Sequence, residues 1–198
     1  MPTTITGTDG VSQVQAGSIQ SDDLAAGAIT IDSGDLPAGS VIQVVQAVKT
    51  DSETFSLSPN HSRAVISNLS ATITPINNSS KILVSFSVQG SKASTQGMSV
   101  TLQRNNNIIS DATGNSAGTR TPVSAMGGAS DFDRRTIHSI VNSFLDTPNT
   151  TSSITYNLLV GHTGTTTRTI YVNRSAFNTD DPADGRPMST ITLMEIAG

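Results

Sequence analysis

Cysteine and tryptophan are both missing from these 198 residues, and the aromatic side chains amount to five Phe and two Tyr. Without cysteine there is no disulfide, no thiolate nucleophile and no thiolate metal ligand, so stability must come from burial or from assembly of several copies. So few aromatics limit the core that one copy can build, and oligomerisation is one remedy. Charge is also scarce, at 13% of residues with a net of -4. No cluster of Lys and Arg provides a footprint for a phosphate backbone, so nucleic acid is not an expected partner. No apolar run approaches the roughly 20 residues that a membrane-spanning helix needs. The opening Met1-Pro-Thr-Thr-Ile-Thr lacks the basic and apolar regions of a secretory signal. Neither membrane insertion nor export by that route is expected.

The chain is instead rich in Ser, Thr, Asn and Gly, so hydroxyls and amides make its surface polar. Its N-terminal part carries a degenerate repeat: Ala16-Gly17-Ser18-Ile19, Ala26-Gly27-Ala28-Ile29 and Ala38-Gly39-Ser40-Val41, with Asp23-Leu24 and Asp35-Leu36 between them. Each unit offers one or two branched apolar residues beside a glycine turn, too little for a core of its own. Three chains side by side would bury Ile19, Leu24, Ile29, Ile31, Leu36 and Val41 against each other along a shared axis. A flexible low-complexity linker is the competing reading of the same stretch. Residues 1–38 are therefore expected to form an extended stem or attachment arm, and residues 39–198 a head.

From Gly39 onward the pattern is short β-rich runs punctuated by Asn, Gly, Ser and Pro. Strands are expected at Val41 to Lys49, Ala64 to Ile73, Lys81 to Gly90, Ser99 to Arg104, Thr136 to Leu145, Ser153 to Gly161, Thr167 to Arg174 and Ser189 to Ile196. The clearest alternation sets Ile82, Val84, Phe86 and Val88 on one face of a strand, and Tyr156 and Leu158 follow the same period of two. Helical spacing is not sustained anywhere. The expected fold class is all-β, an eight-stranded antiparallel jelly-roll sandwich. The longest irregular stretches, Asp111 to Arg134 and Phe177 to Arg186, are candidates for recognition loops.

The closing run Arg186-Pro-Met-Ser-Thr-Ile-Thr-Leu-Met-Glu-Ile-Ala-Gly198 resembles the C-terminal strand of tailed-phage virion proteins, especially fibre-like proteins of cyanophages and marine phages. Gly39-Ser-Val-Ile-Gln-Val-Val-Gln, Ser80-Lys-Ile-Leu-Val-Ser-Phe-Ser and Ile170-Tyr-Val-Asn-Arg-Ser look like the opening, middle and late strands of a trimeric C1q/TNF-like jelly roll. The Asp-Leu-Ala-Ala-Gly-Ala-Ile-Thr phrasing of the stem is similar to phage fibre shafts. The resemblance implies a homotrimer in the virion, made in the host cytoplasm. Its N-terminus would attach to tail, baseplate or capsid proteins. Its head would bind a glycan or protein of the host surface, or cap a virion structure. A tail fibre is the leading expectation, and a capsid decoration or head-fibre protein is the alternative.

No residue pattern argues for catalysis. His61, His138 and His162 fall in turn and strand contexts, and neither a Gly-x-Ser-x-Gly elbow nor a His-Glu-x-x-His helix is present. Asp180-Asp181-Pro182 and Asp184 could supply oxygen ligands to calcium but do not match the EF-hand loop, so a solvated turn is the simpler expectation. Asp131, Asp133, Arg134 and Arg135 are expected to form local salt bridges on the same reasoning. The paired carboxylates of glycan-cleaving spikes usually sit on large parallel β-helices, of which there is no sign. No enzyme activity, metal or cofactor is expected, and recognition falls to loop residues, with Phe132, Phe177, Asp180 and Asp181 as candidates.

Overall fold

Alternation of branched apolar and hydroxyl side chains over Lys81–Lys92 produces the longest strand of the computed structural model, which describes residues 36–59, 62–93, 97–128, 135–162 and 164–198. In chain order the strands are β1 (Val41–Lys49), β2 (Glu53–Leu57), β3 (Arg63–Ile73), β4 (Lys81–Lys92), β5 (Met98–Arg104), β6 (Asn107–Ile108), β7 (Ala125–Gly127), β8 (His138–Asp146), β9 (Ile154–His162), β10 (Arg168–Val172) and β11 (Ser189–Ile196). The expected count of eight is thus corrected to eleven among the described residues. Eight strands lie within two residues of their expected ends. Of the other three, β6 and β7 have two and three residues, too few to establish an alternation, and sequence reasoning missed β2, where Phe55 and Leu57 alternate over five residues as Ile170 and Val172 do in β10.

Pairing is nested. The first strand pairs the last, the second the tenth, the third the ninth, the fourth the eighth and the fifth the seventh, all antiparallel. This is one long hairpin, with β6 and a 3-10 turn at Ser110–Ala112 near its tip. Further pairings wrap it on itself: β4 takes β11 along Lys81 to Ser87 and β10 along Gly90 to Lys92, while β5 takes β9. The result is two antiparallel sheets packed as a jelly-roll-like sandwich. One runs β1-β11-β4-β8, with β10 and β2 continuing it beyond β11; the other runs β3-β9-β5, with β7 and β6 sharing the far edge of β5.

The core fills the space between the sheets. Ile82, Val84, Phe86 and Val88 of β4 and Ile191 and Leu193 of β11 join Ile154, Tyr156, Leu158 and Val160 of β9 and Val100 and Leu102 of β5, all buried. Each such aliphatic side chain contributes about 1.5–3 kcal/mol of transfer free energy. In β3 the buried residues Ile66 and Leu69 are three apart, a spacing that would put them on opposite faces of a regular strand. Asn68 resolves this by adopting φ 58° at a register shift between Val65 and Ser70, so that both side chains point inward.

Two polar networks tie the sandwich edges. At one end Asp146, closing β8, accepts hydrogen bonds from the Tyr156 hydroxyl at 2.6 Å and from Arg104 Nη1 at 2.7 Å, joining the two sheets. Burial raises the Tyr156 phenol far above its usual pKa, and the Asp146 carboxylate raises it further, so the hydroxyl stays a donor. At the other end the buried ammonium of Lys49 lies 2.7 Å from Asp51 and 3.3 Å from Glu53.

Candidate functional site

An antiparallel sheet with one face on the core normally turns polar side chains to water on the other. The outward face of β1, β11, β4 and β8 departs from this. Register places Val44, Met194, Leu83 and Leu145 in one row across all four strands, followed by Gln46, Thr192, Ser85 and Ser143, then Val48, Thr190, Ser87 and Val141. Gln46 donates to Thr192 Oγ1 at 2.8 Å, which confirms the shared face. The first row is apolar from edge to edge, and no position in the three rows is charged. At the flanks Val44 is 56% exposed, Leu145 46% and Val141 62%, while Leu83 and Met194 between them are half-buried. This apolar row on an uncharged face is a candidate interaction surface.

Of the six stem positions proposed to meet between chains, Ile19, Leu24, Ile29 and Ile31 lie outside the described residues. Leu36 is partly exposed, and Val41 opens β1, where it partners Ile196. The head residues Ile82, Val84, Phe86, Val88, Tyr156 and Leu158 are all buried between the sheets.

The candidate recognition loop between β10 and β11 is held by its own polar groups. Phe177 is exposed, and the Arg135 guanidinium lies 5.5 Å from its ring centroid while also donating to Asp181 at 3.0 Å. Asp181 accepts the Ala183 amide as well, and this bond, then Arg135, holds its carboxyl below the ordinary range. Asp184 accepts from the Thr179 hydroxyl and from Ser175. Asp180 is exposed. Phe177 and Asp181 are therefore brought together through Arg135, and the carboxylates of Asp181 and Asp184 are engaged in shaping the loop. Phe132, with Asp131 and Asp133, lies outside the described residues, as does His61. Among the described residues no group of three His, Cys, Asp or Glu side chains is placed to hold a metal ion.

The two described histidines stand apart in role. His138 begins β8, and its ring would lie 2.7 Å from a Cβ added at Gly128, which has φ 72°. His162 ends β9 with both ring nitrogens engaged: the Gly164 amide donates to Nδ1 at 2.9 Å, so Nε2 carries the proton and donates to the Ser58 carbonyl at 2.8 Å. Two concavities open on the surface. A polar one of about 280 Å³ lies beside Arg104 and Asp146. The other, about 510 Å³, is lined by Arg63, Met126 and His162 among others.

No protein-family model matches this sequence, and no curated protein matches it. Among solved structures, the chain is similar to one in the crystal structure of the T13 IBDV viral particle, at 15% identity and a TM-score of 0.41. That match covers 78% of this chain and 36% of the other, so the chain spans little more than a third of the length of the protein it resembles. The jelly-roll-like assignment rests on the strand pairing itself.

Sequence reasoning missed the outward face because it followed only the buried set of each strand. The signal was present in Leu83, Met194 and Leu145, apolar residues at positions that alternation assigns to solvent. What it lacked was the register that brings them into one row.

Proposed function

We propose that this chain is a non-enzymatic structural protein of a virus particle, a trimeric appendage of tailed-phage type. It attaches by its N-terminal residues and binds the host surface with its head. The observation that carries the assembly is the apolar row Val44, Met194, Leu83 and Leu145 on an uncharged sheet face. A face of this kind is stabilised when a second copy covers it, by removing the still-exposed part of each apolar side chain from water. The virion setting is supported by the closing segment resembling phage fibre proteins. That segment is β11, whose Ile191 and Leu193 enter the core while Thr190, Thr192 and Met194 form the middle of the free face.

Three heads on one axis present three copies of every loop, so weak single contacts gain avidity. The test is immunogold imaging of intact particles with antibody against the purified head. Label at the tail supports the fibre reading. Label over the capsid shell replaces it with the decoration reading, and label on no part of the particle overturns both.

A further inference from the structure

The larger groove is built on one cross-strand row of the second sheet. Arg63 on β3, Gly161 on β9, Ser99 on β5 and Met126 on β7 are successive partners. Gly161 is the gap in that row. A Cβ there would stand 2.9 Å from Ser99 Oγ and 3.1 Å from Arg63 Cγ, so glycine is the residue that fits between them without displacing its neighbours. The facing wall is the segment 119–123, which Arg63 fixes by donating Nη2 to the Pro122 carbonyl at 2.6 Å. His162 forms the inner end, and its ring nitrogens are already taken.

Among the described residues the charge of the groove is one-sided: Arg63 and Arg120 both line it and no carboxylate does. Neither guanidinium forms an ion pair among the described residues. Burial lowers the pKa of Arg63, the mark of a cation drawn partly out of water with no counter-ion beside it. The remaining surface mixes the apolar side chains of Val123 and Met126 with hydroxyls of Ser99 and nearby threonines. Among the described lining residues there is no Phe or Tyr on which a planar base would stack. A volume of about 510 Å³ lies within the range of small-ligand sites, roughly 300–1,000 Å³.

We infer that this groove binds a sugar acid, a pyranose unit bearing one carboxylate. The carboxylate meets Arg63 and Arg120, the ring C–H surface lies on Met126 and Val123, and the sugar hydroxyls exchange hydrogen bonds with the threonine and serine hydroxyls. The inference rests on the reading of the head as a binder of the host surface, and it moves recognition from the Phe177 loop to the second sheet.

The test is methyl NMR on the full chain carrying ¹³C-methyl methionine, titrated with glucuronate. Met126 is in the groove, and Met194, on the opposite sheet, is the internal control. The expected result is a saturable shift of the Met126 signal with Met194 unmoved, no shift with glucose or acetate at equal concentration, and affinity about tenfold or more weaker in Arg63→Gln and Arg120→Gln. Arg120 bonds the loop through its backbone amide, to the Ala117 carbonyl, and not through its guanidinium among the described residues, so its variant keeps the test valid if Arg63→Gln loosens the 119–123 segment. An unmoved Met126 signal, an equal response to glucose or to acetate, or undiminished binding in Arg120→Gln overturns the inference. None of these outcomes changes where the protein sits on a particle. Saturable glucuronate binding by a protein absent from particles would overturn the virion reading alone.

Discussion

Asparagine is the residue that turns this chain. All six non-glycine residues with positive φ among the described residues are Asn, at 68, 105, 106, 149, 173 and 178. Their short amide side chains tolerate the left-handed region and bond to nearby backbone, which branched residues cannot do. Asn105 and Asn106, at φ 50° and 65°, form the two-residue turn that joins β5 to β6, the backbone twist that suits a tight hairpin. Asn173 carries the most. It is fully buried at φ 58°, donates Nδ2 to the carbonyls of Lys49 and Asp51, and accepts the Ser189 hydroxyl at 2.6 Å. One side chain thereby fixes the end of β1, the end of β10 and the start of β11. Asn173→Ala leaves that positive-φ conformation without its compensating bonds, removing a donor from the Lys49 and Asp51 carbonyls and the acceptor of the Ser189 hydroxyl. It is expected to cost about 3 kcal/mol, read as a fall of roughly 6–12 °C in Tm by calorimetry. A change within a degree would show that these bonds are dispensable. The abundance of Asn was legible as turns, but which Asn adopts positive φ depends on strand pairing that no local pattern encodes.

At the scale of elements, β11 is the strand on which the first sheet depends, flanked by β1 and β4 along its length. Its alternation ends in a buried charge, Glu195. Burial pushes this carboxyl up, but Gln43 and the amides of Ile76 and Asn77 donate to it and outweigh that effect, so its pKa lies below the ordinary glutamate value. A folded-state pKa below the unfolded one stabilises the protein above about pH 4.3, and that stability is lost as pH falls through the folded value. Urea unfolding between pH 7 and pH 3 should therefore show wild type well above Glu195→Gln at neutral pH, with the two converging below about pH 4. Parallel pH profiles would exclude this role. Eight strands were legible because each holds at least two alternating apolar residues. β2 carries the same signal, in Phe55 and Leu57, and was missed, whereas β6 is two residues set by its turn and β7 is Ala-Met-Gly without a branched side chain. β6 and β7 exist because a neighbouring strand offers an open edge, which is a tertiary cause. The groove was illegible for the same reason: Arg63, Ser99, Met126 and Gly161 are far apart in sequence and meet only through register.

At the scale of the molecule, nested pairing makes the closing strand a partner of the opening one, so the head is complete only when its last residues are in place. That wrapping also sets the free face. β1, β11, β4 and β8 come from both ends and the middle of the sequence, yet they align one apolar row beside two uncharged ones. We propose that three copies cover this face. Ser85 lies in the central polar row on β4, directly between Thr192 and Ser143. A lysine at that position is tolerated at the surface of one copy and is desolvated, without a partner, between copies. Light scattering coupled to size-exclusion chromatography at micromolar concentration tests this directly. The expected mass is three times the 20.5 kDa chain for wild type, and that of a single chain with an unchanged strand signal in circular dichroism for Ser85→Lys. A wild-type mass of 20.5 kDa, or a trimer that Ser85→Lys leaves intact, rules out assembly through this face.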